Sequence, residues 1–182
     1  MSRLRKKKGS YQLSATRSQG EGRRILVEAA FEILSREGLE AVTFGAVAKQ
    51  VGVTRAAPPH HFPGGRRELL GELAKIGFRH LVERLRAADR PSAEAALRET
   101  GRQFLQFARS ELGASLLPLM LRPDHLPPID EDTELSLLRA EALQLVGDRV
   151  AALARSRDLE RNAASTVICW ARFTIWAFVT II

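Results

Sequence analysis

Two short apolar-patterned segments meet at Val51, Gly52 and Val53 inside residues 42–62, VTFGAVAKQVGVTRAAPPHHF. Thr43 is suited to cap a helix carrying Val47 and Ala48, because its hydroxyl can accept from an amide that the first turn leaves unpaired. Gly52 reaches the left-handed backbone of a tight bend at no Cβ cost, and Thr54 is placed to cap a further helix. The pattern predicts a helix-turn-helix. Upstream, Ile25, Leu26, Ala29, Ala30, Ile33 and Leu34 form an apolar stripe at helical spacing, with Gly38 where such a helix stops. Three helices would close around Ile25, Ala29, Phe44, Val47, Val51, Val53 and Phe62, a core small enough to need the next helix as support.

Charge is distributed to match. Residues 1–67 hold 13 Lys and Arg against 5 Asp and Glu, a balance of +8, whereas residues 68–182 hold 15 against 16, or −1. A polyanion is attracted where cations cluster, so the asymmetry directs nucleic acid to the N-terminal third and leaves the remainder for another task. Cys169 is the one cysteine in the chain, which excludes an internal disulfide and an all-thiolate metal site and suits a reducing cytoplasm. Residues 1–20, MSRLRKKKGSYQLSATRSQG, have the charge of a signal peptide's first region without the apolar segment that must follow it. They read as a flexible basic arm, which either touches DNA or is a solvated tail.

Helical spacing recurs along the rest of the chain and strand patterns do not. Leu69, Leu73, Ile76, Leu81 and Leu85 predict a long helix over residues 66–88, broken by Asp89, Arg90 and Pro91. Ser92 caps a helix running towards Arg109, and a short apolar segment spans residues 112–120. The prolines and charges of RPDHLPPIDED predict a loop that includes an exposed His125. Leu135, Leu138, Leu143, Val146, Val150 and Leu153 predict a helix over residues 133–155. Residues 163–182 approach the length of a membrane span, but Arg172 lies in mid-segment and is expensive in lipid. Burial between two subunits explains that segment at less cost, so a homodimer and no membrane insertion are expected.

The fold class expected is therefore all-α: a basic arm (residues 1–20), a three-helix helix-turn-helix DNA-binding unit (residues 21–65) and a helical regulatory and dimerisation domain (residues 66–182). A two-fold dimer pairs its two recognition helices with the half-sites of a palindromic double-stranded operator. Thr54, Arg55 and Ala56 lie at the exposed start of the third helix, with His60 about a turn later. The Arg55 guanidinium fits the O6 and N7 acceptors of guanine and equally fits a phosphate. His60 and His61 are adjacent, point in different directions on a helix and make a shared metal site improbable, His60 being the DNA-facing member. Pro58 and Pro59 are tolerated in a first turn and costly beyond it, so a short or kinked helix is expected.

The run ILVEAAFEILSREGLEAVTFGAVAKQVGVTRAAPPHHF, continued by RRELL, closely resembles the TetR family of bacterial transcriptional regulators over residues 25–62 and 66–70. The resemblance implies all-helical homodimers with an N-terminal DNA-binding unit and a C-terminal domain that often holds a small ligand. It implies DNA contacts for Thr43, Thr54 and Arg55, and makes His61 and Phe62 the pair that closes the third helix. Pro59 stands where the family usually has a tyrosine that contacts phosphate. PGGRRELL carries one more glycine than the usual loop, which makes Arg66 the replacement for a phosphate-binding lysine. Trp170 further resembles a branch with a Trp-His-Gly signature, although Thr174 and Ile175 occupy the His-Gly positions.

Phe104, Phe107, Leu116, Leu117, Met120, Leu138, Trp170 and Phe173 supply apolar side chains for either an ordinary core or a ligand cavity in the body. As a cavity they suit a hydrophobic or aromatic effector, with Cys169 and Arg172 available for a polar contact and Glu141 as an alternative partner of Arg172. No nucleophile with a matching base, glycine-rich phosphate loop or paired acidic site is recognisable, and neither catalysis nor a cofactor is expected. The sequence thus supports a cytoplasmic, sequence-specific repressor released from its operator by such an effector. The alternative is an architectural or nonspecific DNA-binding protein that needs no ligand.

Overall fold

The computed structural model describes residues 19–128 and 131–156, which fold entirely into helices and the turns between them. Helix α1, Gln19–Glu37, buries Leu26, Ala29, Ala30, Ile33 and Leu34. Ile25 is only half-buried, so the inward stripe is centred slightly differently from the sequence pattern. Gly38, at φ 84°, donates to the Leu34 carbonyl at 3.0 Å and ends the helix. After a 3-10 turn at Leu39–Ala41, α2 spans Phe44–Val51. The Thr43 hydroxyl accepts from the Ala46 amide at 3.1 Å, as expected of its cap position. Gly52 takes φ 78°, and the amides of Gly52 and Val53 both reach the Ala48 carbonyl, at 2.9 and 3.0 Å.

Helix α3 is short, Ala57–His61, and its N-cap is Ala56 rather than Thr54. The reason is arithmetic in amides. Pro58 and Pro59 occupy its first turn and have none to satisfy, and the Ala57 amide is taken by the Thr54 carbonyl at 3.0 Å. No side-chain cap is needed. Gly65 at φ 77° then reverses the chain, its amide donating to the Phe62 carbonyl at 2.9 Å, and α4 runs over Gly65–Arg86.

The body continues with α5, Ala93–Arg109, which Ser92 caps by accepting from the Ala95 amide at 3.2 Å. Helix α6, Glu111–Met120, is capped by Ser110 and contains Pro118. The expected loop holds a second 3-10 turn at Pro123–His125, where His125 is half-buried beside Asp124 rather than exposed. Helix α7 covers Thr133–Ser156. Of its apolar side chains Leu135 and Val150 are buried, while Leu143 is 51% exposed and Ala142 and Ala154 face inward instead. None of the described helices is long and apolar enough to cross a membrane, and the apolar segment at residues 163–182 lies outside the described residues.

Helix α4 packs against α1, α5, α6 and α7, and one apolar core runs from Leu26 through Phe62 and Leu73 to Ala142. Close approach within the body depends on two glycines. A Cβ on Gly77 of α4 would lie 2.5 Å from the Met120 sulfur, and one on Gly113 of α6 would lie 1.8 Å from the Phe107 carbonyl oxygen. Backbone cannot yield as a side-chain tip can. Gly113→Ala is therefore expected to destabilise the fold by about 1–3 kcal/mol or more. Gly101→Ala, on the exposed face of α5 with nothing within 4 Å of the added carbon, should stabilise it by about 0.5–1 kcal/mol. Chemical denaturation of the two variants measures both signs.

Candidate nucleic-acid interface

Thr43, Thr54, Arg55, Ala56, Pro59 and His60 are all exposed, on the entry to α2, the turn after Val53 and the outer side of α3. The opposite side of this unit is closed. Pro58 and Phe62 are buried, Phe62 completely, and its ring lies 6.4 Å from that of Phe44. His61 is half-buried with its imidazole against Gly22 of α1, where a Cβ would come within 2.9 Å. The adjacent histidines therefore face apart as expected, with His60 outward. Among the described residues no group of three or more His, Cys, Asp or Glu side chains is placed to hold a metal ion.

The structure gives Arg66 and Arg67 different surroundings. Arg66 donates from Nε to the Val42 carbonyl and from Nη2 to the Leu39 carbonyl, both at 2.6 Å. It thus ties the first turn of α4 to the loop between α1 and α2 with two of its five N–H donors. Arg67 is exposed and donates to the Asp124 carbonyl at 3.1 Å. Most of the net positive charge of residues 1–67 lies in residues 1–18. Residues 1–18 carry six Lys and Arg with no Asp or Glu, whereas residues 19–67 carry seven against five.

Behind the exposed face sits a residue that no sequence pattern singles out. Arg23 of α1 donates to the His61 carbonyl at the end of α3, reaches Glu72 at 2.8 Å and Glu68 at 2.9 Å, and stacks 4.3 Å above the centre of the Phe62 ring. Glu68 also accepts from the Gly64 amide at 2.8 Å. One side chain therefore holds α1, the end of α3 and the start of α4 together. The spacing of Glu68, Glu72 and Lys75 on a helix face is readable in sequence, but Arg23 lies 49 residues from Glu72, beyond any local pattern.

Of the side chains considered for an effector cavity, Phe107 and Met120 are buried in the core, and Phe104 and Leu117 pack against it partly buried. Trp170 and Phe173, with Cys169, Arg172, Thr174 and Ile175, lie outside the described residues. Glu141, the alternative partner for Arg172, is paired with Arg86. Two clefts open elsewhere, between the helix-turn-helix unit and the body. One of about 250 Å³ lies among Arg23, Glu68, Glu72, Lys75, Pro127 and Asp132. The other, of about 300 Å³, separates Leu34 and Leu39 from Ala114, Ser115 and Pro118 of α6.

A three-helix unit with an exposed turn before its third helix, carried on a helical body, is the arrangement of an all-α helix-turn-helix protein. Residues 26–73 match the family model for bacterial regulatory proteins of the tetR family. The same fold recurs in solved structures. A protein of unknown function from Rhodococcus sp. RHA1 is 24% identical, with a TM-score of 0.68 over 95% of this chain and 85% of the other. A bacterial regulatory protein in the tetR family from Rhodococcus RHA1 is 18% identical, with a TM-score of 0.65 over 87% and 81%. The TetR family transcriptional regulator PfmR from Thermus thermophilus is 22% identical, with a TM-score of 0.55 over 87% and 96%. No curated protein sequence matches the chain. Over residues 26–73 the chain is therefore similar to the N-terminal unit of TetR-family regulators, and the likeness that extends through the body is one of all-α fold.

The carboxylates behind the interface make its integrity depend on pH. Burial raises the affinity of Glu72 for a proton, but hydrogen bonds and charge from Lys75 and Arg23 outweigh it and hold the group below its ordinary value of 4.5. Asp132 is likewise raised by burial and lowered further by the Leu135 amide and Lys75, to below 3.8. Both groups bind protons more weakly folded than unfolded. Their contribution to stability is present above those ordinary values and is lost as pH falls through the lowered folded ones. Denaturant titrations between about pH 6 and pH 3 should show this loss, and Glu72→Gln should make the decline shallower.

Proposed function

We propose that the protein is a homodimeric, sequence-specific transcriptional repressor that binds a palindromic double-stranded operator and is released by a small hydrophobic or aromatic effector. The observation that carries this reading is the exposed turn of Thr54, Arg55 and Ala56 leading into α3, set on a unit whose sequence matches the tetR family. Thr43 and His60 flank it on the same unit and complete the base-facing and backbone-facing candidates. Arg66 joins them as a phosphate contact through the N–H groups it does not give to the Leu39 and Val42 carbonyls. Phe104, Phe107, Leu117 and Met120, joined by Trp170 and Phe173, form the effector site in this reading. Trp170 is also what supports a Trp-His-Gly-type body.

The five-residue α3, with Pro58 and Pro59 in its first turn, favours a second reading. Such a helix offers little surface to a major groove, and the six cations of residues 1–18 can grip any duplex. That is the architectural, effector-independent alternative.

Selection of bound fragments from the source genome, followed by affinity measurement on the best fragment and a scrambled duplex, separates the two. The repressor reading expects a preference of about a thousandfold or more, centred on a palindrome and made by a dimer. Equal affinities with a steep salt dependence would establish the alternative. Within the same assay, Arg55→Ala should cost about 1–3 kcal/mol on the preferred fragment and relax discrimination at one base pair. Removal of residues 1–18 should instead weaken binding to all duplexes alike and reduce the slope of log affinity against log salt by as much as ~5, for six phosphate contacts.

A further inference from the structure

Four charged side chains form a continuous ladder from the start of α7 to the end of α3. Asp132 uses one carboxylate oxygen to cap α7, accepting from the Leu135 amide at 3.0 Å, and turns the other to the Lys75 ammonium at 3.0 Å. Lys75 is 7% exposed and donates to Glu72 at 2.9 Å, with Glu134 further away at 3.7 Å. The Glu72 oxygen that accepts from Lys75 also accepts from Arg23 at 2.8 Å, and Arg23 ends the ladder on the His61 carbonyl. Two glycines let the backbones come close enough. A Cβ on Gly71 would stand 3.0 Å from the Pro127 ring and 3.6 Å from Asp132, and one on Gly22 would meet the His61 ring.

A surface ion pair between mobile side chains transmits little, since water and salt compete for each partner. Here each internal member is shared between two helices, and the central ammonium is nearly enclosed. Moving the α7 cap therefore leaves a buried charge short of a partner unless the next member follows. The ladder has a defined output, because His61 is the last residue of α3 and Phe62, next in sequence, donates its amide to the Pro58 carbonyl at 2.9 Å.

We propose that Lys75 is a positioning residue for the recognition helix: through Glu72 and Arg23 it sets the orientation of α3 from the capped start of α7. The inference rests on the DNA-binding reading for its functional consequence, and its structural part stands apart from it. A shift at the body's 131–132 segment, by this route, reaches the DNA-facing turn without Asp132, Lys75 or Glu72 touching DNA.

Two full-length variants test it. Lys75→Met keeps the aliphatic stem and removes the ammonium. Asp132→Asn retains a side-chain oxygen to cap α7 and removes the charge that Lys75 holds, so it carries the test if Lys75→Met fails to fold. Arg98→Met, on an exposed pair with Glu94 of α5, is the control. Each is assayed on the selected genomic fragment and on its scramble, and by amide hydrogen exchange at Phe62. The ladder expects a tenfold or greater loss of affinity for the fragment with the scramble little changed. It also expects at least tenfold faster exchange at Phe62, with the double variant no worse than the more severe single one. Unchanged Phe62 exchange in folded Asp132→Asn overturns the proposal. A wild-type protein without preference for any fragment would sink the repressor reading alone, because the exchange measurement still decides the ladder.

Discussion

Helix α4 has to bury apolar side chains against the helix-turn-helix unit and against α5, α6 and α7 at once, and the placement of the other described helices follows from that demand. A helix buried on several sides has few faces left for charge. Yet α4 carries Glu68, Glu72 and Lys75 on the side where α1 and the start of α7 approach. Unpaired, these groups would be costly there. Paired across elements, they convert an apolar packing arrangement with some rotational latitude into one with fixed partners. The same helix uses glycine where a neighbour comes closest, Gly71 under Pro127 and Gly77 under Met120. Bulk is absent where backbones meet, and charge is present where they must be held in register.

The two ends of the helix-turn-helix unit are secured by different means. On the α1–α2 loop, Arg66 donates to the carbonyl of Val42 and adds a second donor to that of Leu39, which already accepts from the Val42 amide of the 3-10 turn. At the end of α3, Arg23 does the same for His61 while its guanidinium covers Phe62. Both are long cationic side chains donating to backbone oxygen from a neighbouring helix, so the unit's geometry is fixed from outside α2 and α3. A five-residue helix could not fix its own orientation, because it makes too few internal hydrogen bonds to persist without tertiary contacts.

Local chemistry is what the sequence makes legible. Thr43 and Ser92 as caps, Gly38 and Gly52 as stops, and the apolar stripes of α1 and α4 each depend on residues within a few positions of one another, and each appears where the pattern places it apart from the half-buried Ile25 and Ile76. Thr54 fails as a cap for the same local reason. Its residue type is right, but a helix capped there would carry two prolines beyond its first turn, so the helix starts at Ala57, whose amide goes to the Thr54 carbonyl. Leu143 shows the limit of periodicity, since a leucine at helical spacing marks a helix without marking the face that other elements cover. Arg23 and the inward use of Arg66 are illegible because their partners lie 24 to 49 residues away. An arginine in an amphipathic helix is ordinarily a solvated one. Only the fold reveals which cations have been recruited to hold it together.

That recruitment bears on how DNA can be gripped. Of the seven Lys and Arg in residues 19–67, Arg23 and Arg66 are engaged with carbonyls and carboxylates, and Arg24 and Arg36 pair with Glu28 and Glu32 on their own helix. Lys49, Arg55 and Arg67 remain as exposed cations of the unit, Arg67 already resting on the Asp124 carbonyl. Three such charges give a modest electrostatic footprint by the standard of proteins that neutralise six or more phosphates. The six cations of residues 1–18 are therefore the larger reserve of charge. In the proposed repressor reading this divides the labour: residues 1–18 supply most of the long-range attraction, and Arg55 on a braced turn discriminates. Bracing matters more in such a protein than in one with a long recognition helix, because a short α3 has few contacts over which an error of angle can be averaged.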